Sequence, residues 1–291
     1  MLFRSIGVGF AGAILLNQFD QRLQDLSAIE SQMGLSMLSI TPRVDKAETA
    51  QTKKTPGGAL QHISEVFVDR PKSPFVESMW SLRTSLLLSN PGRPPKVIVF
   101  TSCNPAEGKS TIASGQACAL ALRDARVLLI DADMRRPTIM RRFGLKNDVG
   151  LSSLLTGRAQ IEQAVQRIPG IPNLSVIAGG PIPPSPPLIL GSQNMTKLIE
   201  TLSLEYDFIV IDSPPLLGMV DTSIISQMAE AIVLVLSYTQ LNRAQILRAR
   251  KTLQQVGCSI TGIALNFADT HSLVDYGYGY GYGYGDESVQ P

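Results

Sequence analysis

Six short aliphatic runs with little polar alternation constrain the fold of this 291-residue chain most strongly. They lie at 96–102, 126–133, 174–180, 208–212, 231–237 and 259–267. Strands of this kind are buried on both faces, as in a mostly parallel sheet covered by helices. Helix-length segments alternate with them near 109–123, 194–204, 222–229 and 242–256. This alternation predicts an α/β fold, with a doubly wound, mostly parallel sheet and helices on both faces.

The remaining segments predict appendages around this one domain. The run IGVGFAGAILL at 6–16 carries no charge, and the apolar residues between 19 and 33 recur at helical spacing. Residues 42–74 lose that periodicity, which is typical of a linker. We therefore expect a membrane-associated apolar helix at 1–19, an amphipathic juxtamembrane segment at 20–41, a linker at 42–74, the α/β domain at 75–270 and a disordered tyrosine-rich tail at 271–291.

The charge and the cysteine content indicate neither a nucleic-acid protein nor a disulfide scaffold. The formal net charge is +2, so we expect no nucleic-acid partner. The chain has three cysteines without a CxxC pair or Cys/His clustering, so neither a disulfide framework nor a zinc site is suggested.

The segment CNPAEGKST at 103–111 directly follows the first of these strands and precedes a predicted helix. It supplies the G-K-S-T end of a Walker A loop, with Cys103 where the first glycine normally stands. In such a loop backbone N–H groups cradle phosphates, Lys109 reaches the β and γ oxygens, and Ser110 holds Mg²⁺. The alternative is that Gly108 only makes a turn and Lys109 is solvated. The predicted nucleotide-binding residues of this P-loop NTPase type of fold are Asn104, Pro105, Ala106, Glu107, Gly108, Lys109, Ser110 and Thr111.

Three aspartates end the apolar strands that follow the loop. Asp131 and Asp133 come from LLIDADMRRP, and Asp212 comes from FIVIDSPP. A single aspartate at a strand end is often a turn former or helix cap. Beside a phosphate loop, however, hard oxygens suit an Mg²⁺ shell and a carboxylate suits a base for a hydroxyl nucleophile. We assign Asp212 to the metal through water, Asp131 to the metal or to the attacking hydroxyl, and Lys109, Asp131, Asp133 and Asp212 to the catalytic set.

These segments together resemble the bacterial tyrosine kinases of capsule and exopolysaccharide synthesis, over about residues 70–285. The resemblance is carried by NPAEGKST, VLLIDADMRRP, GGPIPPSPPLIL, YDFIVIDSPP and the terminal tyrosine cluster. It implies transfer of the γ-phosphoryl of ATP, with Mg²⁺, to tyrosines in the tail of another copy of the chain. The family's functional positions match Lys109, Ser110, Asp131, Asp133 and Asp212. By analogy with relatives, Asn266 is a candidate adenine contact, with a strand-end cap as its alternative.

Upstream, the segment GFAGAILLNQFDQRLQDLSAIESQMGLSMLSITP is similar to the last membrane helix and following cytoplasmic segment of chain-length-determinant proteins. That similarity implies a location at the cytoplasmic face of the bacterial inner membrane. It also implies polysaccharide polymerisation and export proteins as partners, together with an opposing tyrosine phosphatase.

Two positions depart from the family pattern. Ala106 stands where the family usually has glycine, which constrains the loop if that residue needs a positive φ. The family's helix motif E-x-x-R-x-x-R, associated with ring-like self-assembly, appears here as Glu77, Trp80 and Arg83. Its middle arginine is therefore missing, which puts ring assembly in doubt.

The tail places five tyrosines in strict alternation with glycine. Glycine keeps such a segment extended and free of helix, so several phenols can be offered in turn to one active site. Five phosphates would add roughly −7.5 to −10 charges to the chain. The alternative is a low-complexity spacer. The predicted phosphorylation sites are Tyr276, Tyr278, Tyr280, Tyr282 and Tyr284.

Basic residues at 135, 136, 141, 142 and 146 follow the second motif, either as a solvated helix face or as groups that steer the tail.

The sequence leaves two other functions open. One is a switch ATPase of the kind that positions septa or plasmids, although such proteins carry a lysine where this loop has Asn104. The other is a nucleotide-dependent scaffold of polysaccharide export without significant phosphotransfer.

Overall fold

The computed structural model describes residues 30–43 except 32, 62–90 and 92–268. An eight-stranded sheet in the order β1-β8-β7-β2-β6-β3-β5-β4 forms its centre. All neighbouring strands pair in parallel except β4 and β5, which are antiparallel. The strands are β1 Met37–Pro42, β2 Val97–Ser102, β3 Val127–Asp131, β4 Val165–Ile168, β5 Ile171–Ile177, β6 Phe208–Asp212, β7 Ala231–Ser237 and β8 Gly262–Ala268. The predicted mostly parallel α/β sheet is confirmed.

Helices cover both faces of this sheet. They are α1 Ile63–Asp69, α2 Pro74–Leu88, α3 Lys109–Ala121, α4 Ile139–Phe143, α5 Leu151–Leu155, α6 Ile161–Ala164, α7 Pro186–Leu190, α8 Gln193–Glu205, α9 Asp221–Ser226 and α10 Arg243–Gln255. A 3₁₀ turn at Tyr238–Gln240 precedes α10. None of the helices in these described ranges is long and apolar enough to cross a lipid bilayer.

The central strands are buried on both faces, as their unbroken apolar sequence predicts. In β2, Ile98 and Phe100 pack into the core beneath α2 and α3, whereas Val97 and Val99 pack into the opposite core beneath α8. Successive side chains of a strand point to opposite faces, so one strand contributes to both cores. The phosphate loop is therefore anchored on a strand that is held from both sides.

Helix α3, which begins at the phosphate loop, is buried along almost its whole length. It lies between the sheet and α2, and side chains of α2 pack directly on Gly115. A Cβ atom there would come within 2.8 Å of Met79 Sδ and of Phe75 Cζ. Any larger residue at 115 would push α2 away from α3.

The structure differs from the predicted boundaries at the N-terminal side of the domain. Residues 37–42, assigned to the juxtamembrane and linker segments, form edge strand β1 and pair with β8. Residues 63–69, assigned to the linker, form α1, whose Phe67 packs edge-on against Phe75 at 6.1 Å between ring centroids. Both segments bury apolar side chains on the domain, so the predicted start at residue 75 is too late. The predicted helix at 1–19 and the tail at 271–291 lie outside the described residues.

Candidate active site

The phosphate loop and the three aspartates meet at one edge of the sheet. Strands β2, β6 and β3 are neighbours and run in parallel, so their carboxyl ends share that edge. The loop follows β2, Asp212 ends β6 and Asp131 ends β3, with Asp131 directly opposite Asp212 in the strand register. Ligands of open α/β sheets bind at this edge. The structure thus brings together the residues that the sequence predicts to act together.

The loop closes on the start of α3 through Gly108, whose φ is +88°. A Cβ atom at Gly108 would lie 1.9 Å from Nδ2 of Asn266. That amide instead donates to the Glu107 carbonyl oxygen at 3.1 Å, and Asn266 Oδ1 accepts from the Phe267 N–H at 2.9 Å. In this structure Asn266 therefore holds the loop in place. Its contact with adenine stays a prediction.

A buried carboxyl group fixes the beginning of the loop. Glu107 is 2% exposed, and its Oε2 accepts from the Asn104 N–H at 2.6 Å. Burial raises the pKa of Glu107 to about 7, against the lowering effect of these hydrogen bonds. The Asn104 side chain in turn donates to Gln245 Oε1 on α10 at 2.8 Å. Of the predicted nucleotide-binding residues, Glu107 thus turns into the protein, whereas Pro105 and Ala106 are exposed at the loop tip.

Ala106 has a φ of +66°, so the position that departs from the family's glycine is held in the left-handed region. An alanine there is strained by roughly 1 kcal/mol. We expect Ala106→Gly to raise the free energy of unfolding by up to about 1 kcal/mol, partly offset by the greater freedom of glycine in the unfolded chain. Urea denaturation with and without ADP measures the change. An unchanged or lower midpoint would show that the loop carries no strain at this residue.

Lys109 is the cation at the centre of the site, buried at the start of α3 with Ser110. Its Nζ lies 3.1 Å from Asp133 Oδ2, 3.5 Å from Asp212 Oδ1 and 3.2 Å from Ser110 Oγ. Burial acts to lower the pKa of Lys109, but the charges of Asp212 and Asp133 outweigh it and raise the pKa above its usual value. Lys109 is thus buried among carboxylates, and the alternative that it is a solvated side chain beside a simple turn is wrong.

The two carboxylates opposite one another differ in how their oxygens are used. Oδ2 of Asp131 accepts from the Thr138 and Ile139 N–H groups at 2.9 and 3.0 Å, and Oδ1 accepts from the Asp133 N–H at 3.2 Å. Asp131 therefore caps the start of α4, a role that its position in the sequence left open. Neither oxygen of the fully buried Asp212 has a hydrogen-bond partner of good geometry.

Burial makes these two carboxylates hard to ionise. Burial and the charge of Asp212 raise the pKa of Asp131 to about 8, and burial also raises the pKa of Asp212. Within the described part of the chain, no group of three or more His, Cys, Asp or Glu residues could hold a metal by itself. Mg²⁺ is usually held by one or two carboxylates together with phosphates and water. The Asp212 oxygens, which accept no hydrogen bond, and the raised pKa values of both carboxylates fit such a metal.

The basic residues after the second motif separate into different environments. Arg135 forms a two-pronged ion pair with the buried Asp221 at the start of α9, with both N–O distances 3.2 Å. Arg141 is exposed, whereas Arg142 is half-buried. The sequence analysis did not single out Asp221. It also did not distinguish Arg142 from Arg141, because the five-residue helix α4 is too short to show a periodic pattern.

Comparison with known proteins places this site in a family. The AAA domain family matches residues 95–259. Over 225 residues the chain is 34% identical to tyrosine-protein kinase YwqD of Bacillus subtilis, covering 77% of this chain and 94% of YwqD. It is 32% identical to the putative tyrosine-protein kinase EpsB of Ralstonia solanacearum over 91% of this chain, but spans only 35% of EpsB.

A solved structure agrees with these relatives. The kinase domain of the Escherichia coli tyrosine kinase ETK superposes with a TM-score of 0.77 at 26% identity, covering 84% of this chain and 95% of that domain. A fold of this type binds a nucleotide at its phosphate loop. The switch-ATPase and scaffold alternatives are not favoured, since the relatives are tyrosine kinases. The chain belongs to the bacterial tyrosine-protein kinases, built on an AAA-type domain.

Proposed function

We propose that this chain transfers the γ-phosphoryl group of ATP to the tyrosines at 276, 278, 280, 282 and 284 in the tail of another copy. The observation that carries the proposal is the position of Lys109, whose Nζ approaches both Asp133 and Asp212 beside a phosphate loop. A buried lysine between two carboxylates is poised to exchange one of them for phosphate oxygens.

The proposal assigns each side chain a task. Backbone N–H groups between residues 106 and 110 would hold the phosphates, and Ser110, Asp131 and Asp212 would hold Mg²⁺, directly or through water. When bound, Mg²⁺ supplies the charge that neutralises phosphate oxygens and favours the ionised carboxylates. The raised pKa values of the buried Asp131 and Asp212 support this assignment.

The reaction breaks the bond between the γ-phosphorus and the bridging oxygen, and that oxygen keeps the electron pair as ADP leaves. A new bond forms between the γ-phosphorus and the phenol oxygen of the incoming tyrosine. The phenolic proton passes to a carboxylate, for which we assign the ionised Asp131. Lys109 stabilises the charge on the phosphate oxygens and transfers no proton.

The wider setting is also part of the proposal. We place the chain at the cytoplasmic face of the inner membrane, among polysaccharide polymerisation and export proteins, with a tyrosine phosphatase opposing it. Its segment at 1–29, on which that location depends, lies outside the described residues. The relatives' kinase names support the activity, whereas the setting depends on the sequence resemblance.

Incubation of the purified chain with γ-labelled ATP and Mg²⁺ tests this function. We expect label on the tail tyrosines and little on Tyr206 and Tyr238, the two tyrosines of the described domain. A variant with all five tail tyrosines changed to phenylalanine should lose the label, whereas Tyr206→Phe, the matched control, should keep it. The initial rate per molecule should rise with protein concentration, because donor site and tail belong to different copies. Phosphate release without labelled tyrosine would contradict the proposal.

A further inference from the structure

Arg142 is a half-buried cation that the reaction as described above does not use. Its Nε is shielded from solvent and has no hydrogen-bond partner. Among the described residues, no carboxylate oxygen comes within ion-pair distance of its guanidinium group. A buried N–H donor left unpaired is unfavourable, and more so on a charged group. Arg142 thus holds a donor ready for an anion that the chain itself does not provide.

The short helix α4, which carries Arg142, begins at the active site. The Ile139 N–H donates to Asp131 Oδ2, so the first turn of α4 is fixed on the carboxylate that ends β3. Arg142 follows Ile139 by three residues and therefore lies on the same face of the helix. Long side chains on a helix point back toward its N-terminus. Such a side chain has the length to reach the start of α4, where Asp131 is bound.

Electrostatics agree with this direction. Burial lowers the pKa of Arg142, and the charges of Asp212 and Asp131 oppose that lowering. The charge of Arg142 likewise acts to lower the pKa of Asp212. Lys109 contacts Asp212 directly at 3.5 Å. Two cations from different parts of the chain therefore act on one pair of carboxylates.

Further polar atoms near the start of α4 lack partners. Oγ1 of Thr138 is buried without a hydrogen bond, and neither oxygen of Asp212 accepts one, although Lys109 Nζ lies 3.5 Å from Asp212 Oδ1. Thr138 and Asp212 are linked through Asp131, which bonds the Thr138 N–H and lies opposite Asp212. Unpaired buried polar groups in one neighbourhood indicate a place where a polar ligand completes the site.

We propose that Arg142 is a catalytic residue that donates hydrogen bonds to the γ-phosphoryl group during its transfer. The proposal rests on the phosphoryl transfer proposed above and adds a residue from the same chain. As the bond to ADP breaks and the bond to the phenol oxygen forms, charge on the three γ oxygens is met by Lys109 and Arg142. Arg142 keeps its proton throughout. A guanidinium group suits this task because its planar fork matches phosphate oxygens.

The adjacent arginine provides a matched control. Arg141 has the same charge one residue away on the same helix but is exposed. If the two residues only raised the local positive potential, Arg141→Ala and Arg142→Ala would slow the reaction similarly. If Arg142 contacts the phosphoryl group, Arg142→Ala alone should have a large effect.

The full-length chain and its Arg142→Ala, Arg142→Lys and Arg141→Ala variants are compared in two assays. We expect Arg142→Ala to lower the kcat of tail phosphorylation by about 100-fold or more, with a smaller change in the KM for ATP. Arg142→Lys should recover only part of the rate, and added guanidinium ion at non-denaturing concentration should partly restore Arg142→Ala. Arg141→Ala should stay close to wild type.

The second assay measures binding by calorimetry, of Mg²⁺-ADP alone and of Mg²⁺-ADP with aluminium fluoride, which mimics the phosphoryl group in transfer. ADP affinity should be unchanged in all variants, which also reports folding. Aluminium fluoride should strengthen binding to wild type and Arg141→Ala, and this gain should be lost in Arg142→Ala. The readout does not require tyrosine phosphorylation. If wild type labels no tyrosine, the proposed function fails while this comparison still decides the role of Arg142.

Several outcomes would overturn the inference. One is an aluminium fluoride gain in Arg142→Ala equal to that of wild type, or no gain in wild type. Another is an equal loss of rate in Arg141→Ala and Arg142→Ala. A third is a loss of ADP affinity and of thermal stability in both Arg142 variants without rescue by guanidinium ion, which would make Arg142 a structural residue.

Discussion

Replacing Lys109 with methionine is expected to lower the rate of tail phosphorylation by about 1,000-fold. Methionine keeps much of the length of the lysine stem but removes the charge that approaches Asp133 and Asp212. The γ oxygens then lose the cation that follows the phosphate loop, and the carboxylates repel the incoming nucleotide. Rates of phosphotyrosine formation at saturating ATP measure the change. Lys251→Met, an exposed position on α10, serves as control and should retain the wild-type rate.

The same variant should show a stability deficit that grows with pH. The pKa of Asp131 is about 8 in the folded chain, against 3.8 for a free side chain. Between these values the folded chain binds more protons than the unfolded chain, so stability falls as pH rises. Loss of the Lys109 charge raises the carboxylate pKa values further. We expect a small deficit at pH 5 and one of about 3 kcal/mol at pH 9.

A mixing experiment separates catalysis from substrate supply. A Lys109→Met copy with an intact tail is combined with an active copy whose five tail tyrosines are phenylalanine. Label on the Lys109→Met tail would show transfer between copies. Normal self-labelling by Lys109→Met alone would contradict the role assigned to this lysine.

Gly108→Ala is expected to have the second largest effect. The substitution strains a residue whose φ is +88° and drives a methyl group into Asn266, whose Nδ2 would lie 1.9 Å from the new atom. Asn266 then releases the Glu107 carbonyl that it now holds. We expect a loss of about 2 to 3 kcal/mol in the free energy of unfolding. ADP affinity should fall by about 100-fold, because the phosphate-binding amides move.

Two further variants resolve the causes of this effect. Gly257 also has a positive φ, +75°, but a Cβ atom there would have nothing within 4 Å. Gly257→Ala therefore reports backbone strain alone, expected at roughly 1 kcal/mol. Asn266→Ala removes the atoms that clash, so the double variant should be less impaired than the two single changes predict together. Simple additivity would show that Asn266 does not brace the loop.

The central strands could be predicted from the sequence, but the edge strands could not. Strands β2, β3 and β7 are apolar without interruption because they are buried on both faces. At the edges, β1 reads MLSITP and ends in proline, and β4 reads VQRI with only Ile168 buried. Such short segments become strands only through pairing with a neighbour. The partner strands β8 and β5 were predicted, but their pairing with β1 and β4 was not visible in the local pattern.

The candidate site, like the sheet, could be predicted only in part. The meeting of Lys109, Asp131 and Asp212 follows from parallel strands whose carboxyl ends share one edge. The capping role of Asp131 and the burial of Arg142 depend on how the short helix α4 packs, which five residues cannot encode by periodicity. The positive φ at Ala106 was inferred only as a condition of the family pattern, and the structure shows that the condition holds.

The parallel pairing of β1 with β8 gives the domain two opposite poles. The chain enters β1 at Met37 on the pole remote from the phosphate loop and leaves at Pro42 on the reactive pole, about 17 Å farther along. The Arg43 N–H donates to the Ala268 carbonyl oxygen, so the end of β8 lies beside the end of β1. The residues that lead into β1 and the reactive edge of the sheet are thus separated by the full length of a strand.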